Sequence, residues 1–176
     1  MLLHGLEAGV NLLAACNRVV ATALFALLTG VVALQVFTRF VLHAPVIWSE
    51  EAARFLFFWV VLLGAAMSVK DRRHFVIDVL GGRVAGGSRL RFLFDLVPDA
   101  CVLTFSVLLL VEGIGYTQVG LFRTGTNSQV NMALVYAAIP TFAALSIVYS
   151  ALNLLLDWAA FRQGRGPAPR RPQSAD

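Results

Sequence analysis

The chain has 176 residues, of which 59% are hydrophobic and 14% charged, with a formal net charge of +4. A soluble domain is typically about 25% charged, so a charged fraction of 14% argues against an ordinary soluble domain. Together with a mean hydropathy of +0.77, it indicates an integral membrane protein. The basic residues lie between and after the apolar runs instead of forming one patch, which argues against nucleic-acid binding.

Residues 1–17 are predicted to form an amphipathic helix on the membrane surface, in contact with lipid. One helical face carries the apolar residues Leu2, Leu3, Leu6, Val10 and Leu13. A signal peptide fits poorly, because a basic start is lacking and Glu7 and Asn11 interrupt the apolar run. The same features count against reading Leu13–Cys16 as a lipoprotein cleavage site.

The rest of the sequence predicts an all-α membrane domain over residues 18–158, followed by a disordered basic tail over 159–176. Four apolar stretches are expected to cross the bilayer, at about 19–42, 51–69, 92–116 and 132–156. Pro140 lies inside the fourth stretch and is expected to bend it. Basic residues concentrate near residue 18, between the second and third stretches, and in the tail. Both termini are therefore predicted to be cytoplasmic.

The stretch from Arg39 to Arg54 is the most polar point between the first two spans, and it predicts a turn at the outer membrane surface. Pro45 cannot continue a helix, and Trp48 prefers the membrane–water boundary. Ser49 is expected to be the N-cap of the next helix.

Two acidic residues follow Ser49 in the predicted first turn. Glu50 and Glu51 would face the positive end of the helix dipole, and Arg54 lies one turn beyond Glu50, in the favourable order for an ion pair. A plain capped loop would explain the same residues, so their chemistry alone leaves open a special role.

Asp99 and Glu112 are the unusual residues of the third stretch, because they lie only about 20 Å apart along a helix, inside a hydrocarbon layer about 30 Å thick. At least one must face protein, a water-filled pocket or the interface. One hypothesis is a proton or sodium relay. The other is helix packing or contact with a partner subunit, favoured because a 100° step places the two carboxylates on different helix faces.

Cofactor sites find no support in the sequence. Three histidines and two cysteines are scattered without metal-ligand spacing, and both cysteines lie in apolar surroundings. A haem subunit would need facing axial ligands, yet His43 and His74 are predicted on opposite membrane sides. His74 is interpreted as a solvated or hydrogen-bonded side chain, with a proton carrier or ligand as the alternative.

Three segments in order resemble one family. Arg39-Phe40 is followed by Pro45 and Trp48-Ser49-Glu50-Glu51, His74 is followed by Asp78-Val79-Leu80, and the third segment is Tyr136-Ala137-Ala138-Ile139-Pro140. Over about residues 15 to 157 the pattern is similar to the small membrane (Q-type) subunit of tripartite ATP-independent periplasmic (TRAP) transporters. The sequence departs from it at His43-Ala44, where that family often has an asparagine.

The resemblance implies a non-enzymatic subunit of the bacterial inner membrane, without catalytic, substrate-binding or metal-binding residues and without a cofactor. Such a subunit would brace the large TRAP membrane subunit and help dock a periplasmic substrate-binding protein during ion-coupled uptake of an organic acid. By analogy Arg39, Trp48, Glu50, Glu51 and Arg54 would fix the helix hairpin at the outer turn and contact partners there. His74 and Asp78 would organise the cytoplasmic turn. The alternative function is a self-contained four-helix proton-coupled antiporter.

Overall fold

The computed structural model describes residues 2–44, 46–71 and 89–162, and this part of the chain is helical. In chain order the helices are α1 (Leu2–Phe40), α2 (Ile47–Lys70), α3 (Arg89–Gly120), α4 (Met132–Tyr136) and α5 (Ala138–Arg162). No strand forms among these residues; one isolated bridge pairs Thr124 with Asn131. The predicted all-α class is confirmed.

Four segments of the described chain are long and apolar enough to cross a membrane. They are Gly5–Phe40, Ile47–Lys70, Val97–Gly120 and Met132–Leu156. The predicted number of spans is confirmed, whereas the cytoplasmic position of the termini stays a prediction.

The first helix continues without a break from Leu2 to Phe40, over 39 residues. At about 1.5 Å per residue it is almost twice as long as the hydrocarbon layer is thick. Ala14 and Asn17 are buried, and Val10 packs against the same cluster. The packed part of α1 therefore begins before residue 18. The interfacial placement of residues 1–17 stays a prediction.

The start of α2 corrects one prediction. The N-cap is Val46, without a side-chain hydrogen bond, and Ser49 already lies inside the helix. The Ser49 hydroxyl is buried and donates to the carbonyl of Val46 at 2.7 Å. The cap prediction was wrong because the helix already begins at Ile47, before Ser49. The Ser49 hydroxyl instead forms its hydrogen bond within the first turn.

The chain leaves α1 through a left-handed residue, His43, at φ 51°. Histidine is one of the residue types enriched in that conformation. The N–H of Ala44 then reaches back to the carbonyl of Thr38 at 3.1 Å. Pro45, the next residue of the predicted turn, lies outside the described residues.

Helix α3 runs beyond the predicted end of the third span, and the helix of the fourth span is interrupted, each for a local reason. Helix α3 continues to Gly120, past the expected end near residue 116, and the Thr117 hydroxyl is satisfied by the carbonyl of Gly113 at 2.7 Å. The fourth span is interrupted at Ala137, between α4 and α5. Pro140 supplies no N–H to the carbonyl of Tyr136, so the expected distortion is an interruption at that point.

The helices pack in the order α1, α2, α5, α3, so that the fourth span stands between the second and the third. A core cluster joins α1, α2 and α5 through Ala14, Ala66, Val69 and Tyr149, with Val102 of α3 packed against it. The alanines of this cluster, Ala14 and Ala66, allow close helix contact, which is how membrane helices associate.

Candidate functional site

The most strongly bonded side chain of the described structure is Glu51, the fifth residue of α2. Its carboxylate accepts three backbone N–H groups from the loop between α3 and α4: Thr126 at 3.1 Å, Asn127 at 3.0 Å and Ser128 at 2.7 Å. The residue is only 8% exposed. Hydrogen bonds from N–H groups to a carboxylate are stronger than neutral ones, so Glu51 fixes this loop to α2.

The loop is shaped to present those three amides to Glu51. Gly125 donates to the carbonyl of Val130 at 2.8 Å, and Gln129 takes a left-handed conformation at φ 55°. A Cβ on Gly125 would lie 2.7 Å from Glu51 Oε1. Glycine is therefore required where the loop backbone approaches the carboxylate.

Asn131 joins the end of this loop to the fourth span. Its side-chain oxygen accepts from the N–H of Ala133 at 2.9 Å, as an N-cap of α4, and its amide donates to the carbonyl of Leu121 at 3.1 Å. The indole N–H of Trp59 on α2 donates to the carbonyl of Leu134 at 3.0 Å. The N-terminal part of α2, the loop that follows α3, and α4 are thus held together by side-chain to backbone hydrogen bonds. We call residues 121–131, with Glu51, the clamped loop.

Tyr136 and Pro140, predicted site residues of the fourth span, pack against glycines of α3. A Cβ on Gly120 would lie 2.7 Å from the Tyr136 ring, and a Cβ on Gly113 would lie 3.2 Å from Pro140. The rings of Tyr116 and Tyr136 have centroids 4.7 Å apart. In this structure the two residues serve helix contact within the chain.

The remaining predicted residues of the outer turn are exposed. Glu50 and Arg54 form the expected ion pair, at 3.8 Å between side chains that are both about 70% exposed, so the pair adds little stability. Arg39 lies over the ring of its neighbour Phe40, 5.9 Å from the ring centre, and Trp48 is 47% exposed. All four residues are exposed in the structure.

The two carboxylates of the third span have different surroundings. Asp99 is half-buried against α5, where the Ser150 hydroxyl donates to its backbone carbonyl at 3.0 Å. Glu112 is exposed on the surface of α3. They do not meet, in agreement with the expected angular separation. His74 and Asp78 lie outside the described residues.

A line of small and polar residues between α3 and α5 was missed by the sequence reasoning. Ser106, Ala143, Ser146 and Ser150 are buried, and the Asn153 amide donates to the carbonyl of Val69 at 3.3 Å. On α1, the Asn17 amide donates to the carbonyl of Leu63 at 3.2 Å. On α5, Ala143, Ser146, Ser150 and Asn153 are spaced alternately by three and four residues, as in a coiled coil. This spacing could have revealed the contact between the helices from the sequence.

The arrangement supports assembly more than chemistry. Within the described residues no group of three or more His, Cys, Asp or Glu side chains could hold a metal ion. The acidic group with the richest set of donors, Glu51, uses both oxygens to bind the chain's own backbone.

The sequence model of the family described as "Tripartite ATP-independent periplasmic transporters, DctQ component" matches residues 28–160. The chain belongs to this family. The predicted identity as a DctQ-like small subunit is thereby confirmed, and with it the expectation of a non-enzymatic, multi-pass membrane protein of a transport system.

Individual relatives agree with the family. The C4-dicarboxylate TRAP transporter small permease protein DctQ of Vibrio cholerae is 39% identical over 82 residues, which are 47% of this chain and 34% of that protein. The sialic acid TRAP transporter small permease protein SiaQ of the same organism is 26% identical over 146 residues, covering 80% of this chain and 83% of the relative.

A third relative is much longer. The sialic acid TRAP transporter permease protein SiaT of Haemophilus influenzae is 29% identical over 122 residues, 69% of this chain but 20% of SiaT. The chain thus spans about a third of the first relative and a fifth of SiaT.

Proposed function

We propose that this chain is the small membrane subunit of a TRAP-type secondary transporter in the bacterial inner membrane. It braces the large transport subunit and helps to form the outer surface on which a periplasmic binding protein docks. The observation that carries this proposal is the family match over residues 28–160, which extends from within α1 to within α5.

The use of polar groups supports a bracing role. Glu51, Asn17, Asn131 and Trp59 each join one part of the chain to the backbone of another. A transporter acting alone usually gathers polar groups around a site near the middle of the membrane, often at broken helices. These four polar side chains of the described residues instead connect parts of the chain to one another.

The long relative supports a larger membrane partner. In SiaT, the region similar to this chain occupies only a fifth of one polypeptide, so there it is covalently joined to a much larger protein. Where the two parts are separate chains, we expect them to associate in the membrane.

The outer surface supports docking of a soluble protein. Arg39, Trp48 and the Glu50–Arg54 pair are accessible beside the clamped loop, and Phe122 in that loop is 92% exposed. The three hydrogen bonds to Glu51 fix the position of the loop relative to α2. A surface fixed in advance loses less entropy on binding than a flexible one.

Uptake of an organic acid is the cargo class that the relatives favour. The names of two relatives specify a C4-dicarboxylate and sialic acid, both of which carry carboxylate groups. In this proposal the other subunits select the cargo, and the present chain determines assembly.

Affinity purification of the tagged chain in mild detergent, from cells expressing the neighbouring transporter genes, tests the proposal. A much larger polytopic membrane protein should be recovered with it, and uptake of the organic acid should stop when this chain is deleted. Transport by the purified chain alone in liposomes would instead support the antiporter alternative.

A further inference from the structure

Glu112 is an ionisable residue on the open surface of a membrane-spanning helix. It lies in the candidate span Val97–Gly120, about 12 Å along the helix from Gly120, and its side chain is exposed. Within the described part of the chain no residue donates a hydrogen bond to it or pairs with its charge. Hydrocarbon offers neither, so the carboxylate requires a partner that the described residues do not supply.

The surroundings of Glu112 form a distinct helix face. At 100° per residue, four large exposed side chains lie within about 40° of it: Phe105, Leu108, Tyr116 and Val119. Gly113, which contacts α5, lies about 100° away. We call these four residues and Glu112 the Glu112 face; it points away from the contact with α5, and at one end the Tyr116 ring also contacts Tyr136 of α4.

A second feature of this face is room for close approach. Gly115 is one turn from Glu112 and exposed, and a Cβ built on it would meet nothing within 4 Å. Small residues allow another helix backbone to come near, and an aromatic rim of Phe105 and Tyr116 supplies contact area.

We propose that the Glu112 face is the docking surface for the large membrane subunit, and that this subunit supplies an arginine or lysine to the Glu112 carboxylate. The inference rests on the proposed function and specifies which side of the chain is used. Charge complementarity selects the partner, because an exposed carboxylate below the headgroups is satisfied by a basic side chain of a neighbouring helix. The long relative SiaT, in which a similar region is part of a far larger permease, shows that a large polypeptide accompanies this segment.

Site-specific photocrosslinking in the assembled transporter tests the location. A photoreactive phenylalanine analogue at Leu108 or Val119 should form an adduct with the large subunit. The matched controls are Val107 and Ile114, which are similarly exposed but lie about 140–160° from Glu112 on the same helix. Adducts from the control positions alone, or lipid adducts alone from Leu108 and Val119, would overturn the proposal.

Charge removal tests the chemistry. Glu112→Gln and Glu112→Leu should reduce recovery of the large subunit by at least about tenfold, because either leaves a basic side chain buried without its partner. Thr104→Val is the control, since it removes an exposed hydroxyl that bonds only to Ala100 within α3. Unchanged recovery of the large subunit with both Glu112 variants would contradict the proposed charge pair.

The two proposals fail differently. If no larger membrane protein is purified with the unaltered chain, the proposed function is wrong and so is this inference. If the large subunit is recovered but crosslinks from Val107 and Ile114 instead, the function stands and the Glu112 face is wrong. Crosslinking uses chains that retain Glu112, so it remains decisive even if a Glu112 variant fails to fold.

Discussion

Two adjacent glutamates, Glu50 and Glu51, make very different contacts in the structure. The sequence predicts both Glu50 and Glu51 in the first turn of α2, and their positions alone do not distinguish them. In the structure Glu50 is exposed beside Arg54, whereas Glu51 is buried and binds three loop amides. Sequence reasoning predicted the first pair because its partners are one turn apart. It missed the second because the donors lie 75 to 77 residues away.

Replacing Glu51 with alanine should loosen the clamped loop. The N–H groups of Thr126, Asn127 and Ser128 would lose their acceptor together, so we expect faster amide hydrogen exchange at these residues and a lower melting temperature in detergent. Glu51→Gln keeps the shape and one oxygen, and its effect should be smaller. Glu50→Gln is the matched control, because its side chain is exposed and makes no contact with the loop. Equal protection of the loop in all three variants would contradict the clamp.

At the scale of elements, periodicity predicted the helices but not how their ends form. The fourth span was predicted at 132–156, and the corresponding apolar segment is Met132–Leu156. The sequence predicted that Pro140 bends this span. The structure interrupts the helix at Ala137, three residues before the proline. Helix α3 runs to Gly120, past residue 116, where the third membrane span was predicted to end. A threonine that bonds to the preceding turn instead continues the helix.

Two glycines of α3 should respond oppositely to alanine. In Gly120→Ala the new methyl group would lie 2.8 Å from the backbone nitrogen of Ala133, which cannot move alone. We expect a loss of about 1–3 kcal/mol of stability from overpacking. Gly115→Ala has open space around it and should be neutral or stabilising by up to about 1 kcal/mol, because alanine favours the helix. Thermal unfolding in one detergent compares the two, and equal losses would refute the close contact.

At the scale of the whole molecule, composition and the positions of the apolar runs sufficed for four spans, whereas the order of packing did not follow from them. The fourth span stands between the second and third because α5 carries small residues at positions that contact both neighbours, such as Ser150 towards α3 and Asn153 towards α2. Hydropathy identifies which segments are buried in lipid, but it does not identify their neighbours.

The predicted orientation of the whole molecule can be measured directly. In a background with Cys16 and Cys101 replaced by serine, a cysteine at Phe122 should react with a membrane-impermeant maleimide in spheroplasts. One at Ser174 should react only after the membrane is opened, because basic residues favour the cytoplasmic side. The reverse pattern would place both termini outside.

The geometry of the Glu51 contact has a consequence for how this protein can fail. One carboxylate accepts from three consecutive donors, so a single change at Glu51 acts on all three hydrogen bonds together. Its oxygens divide the donors, with Thr126 on Oε1 and Asn127 and Ser128 on Oε2, so a change that spares one oxygen preserves part of the contact. Natural variation should therefore be tolerated less at Glu51 than at the exposed position beside it.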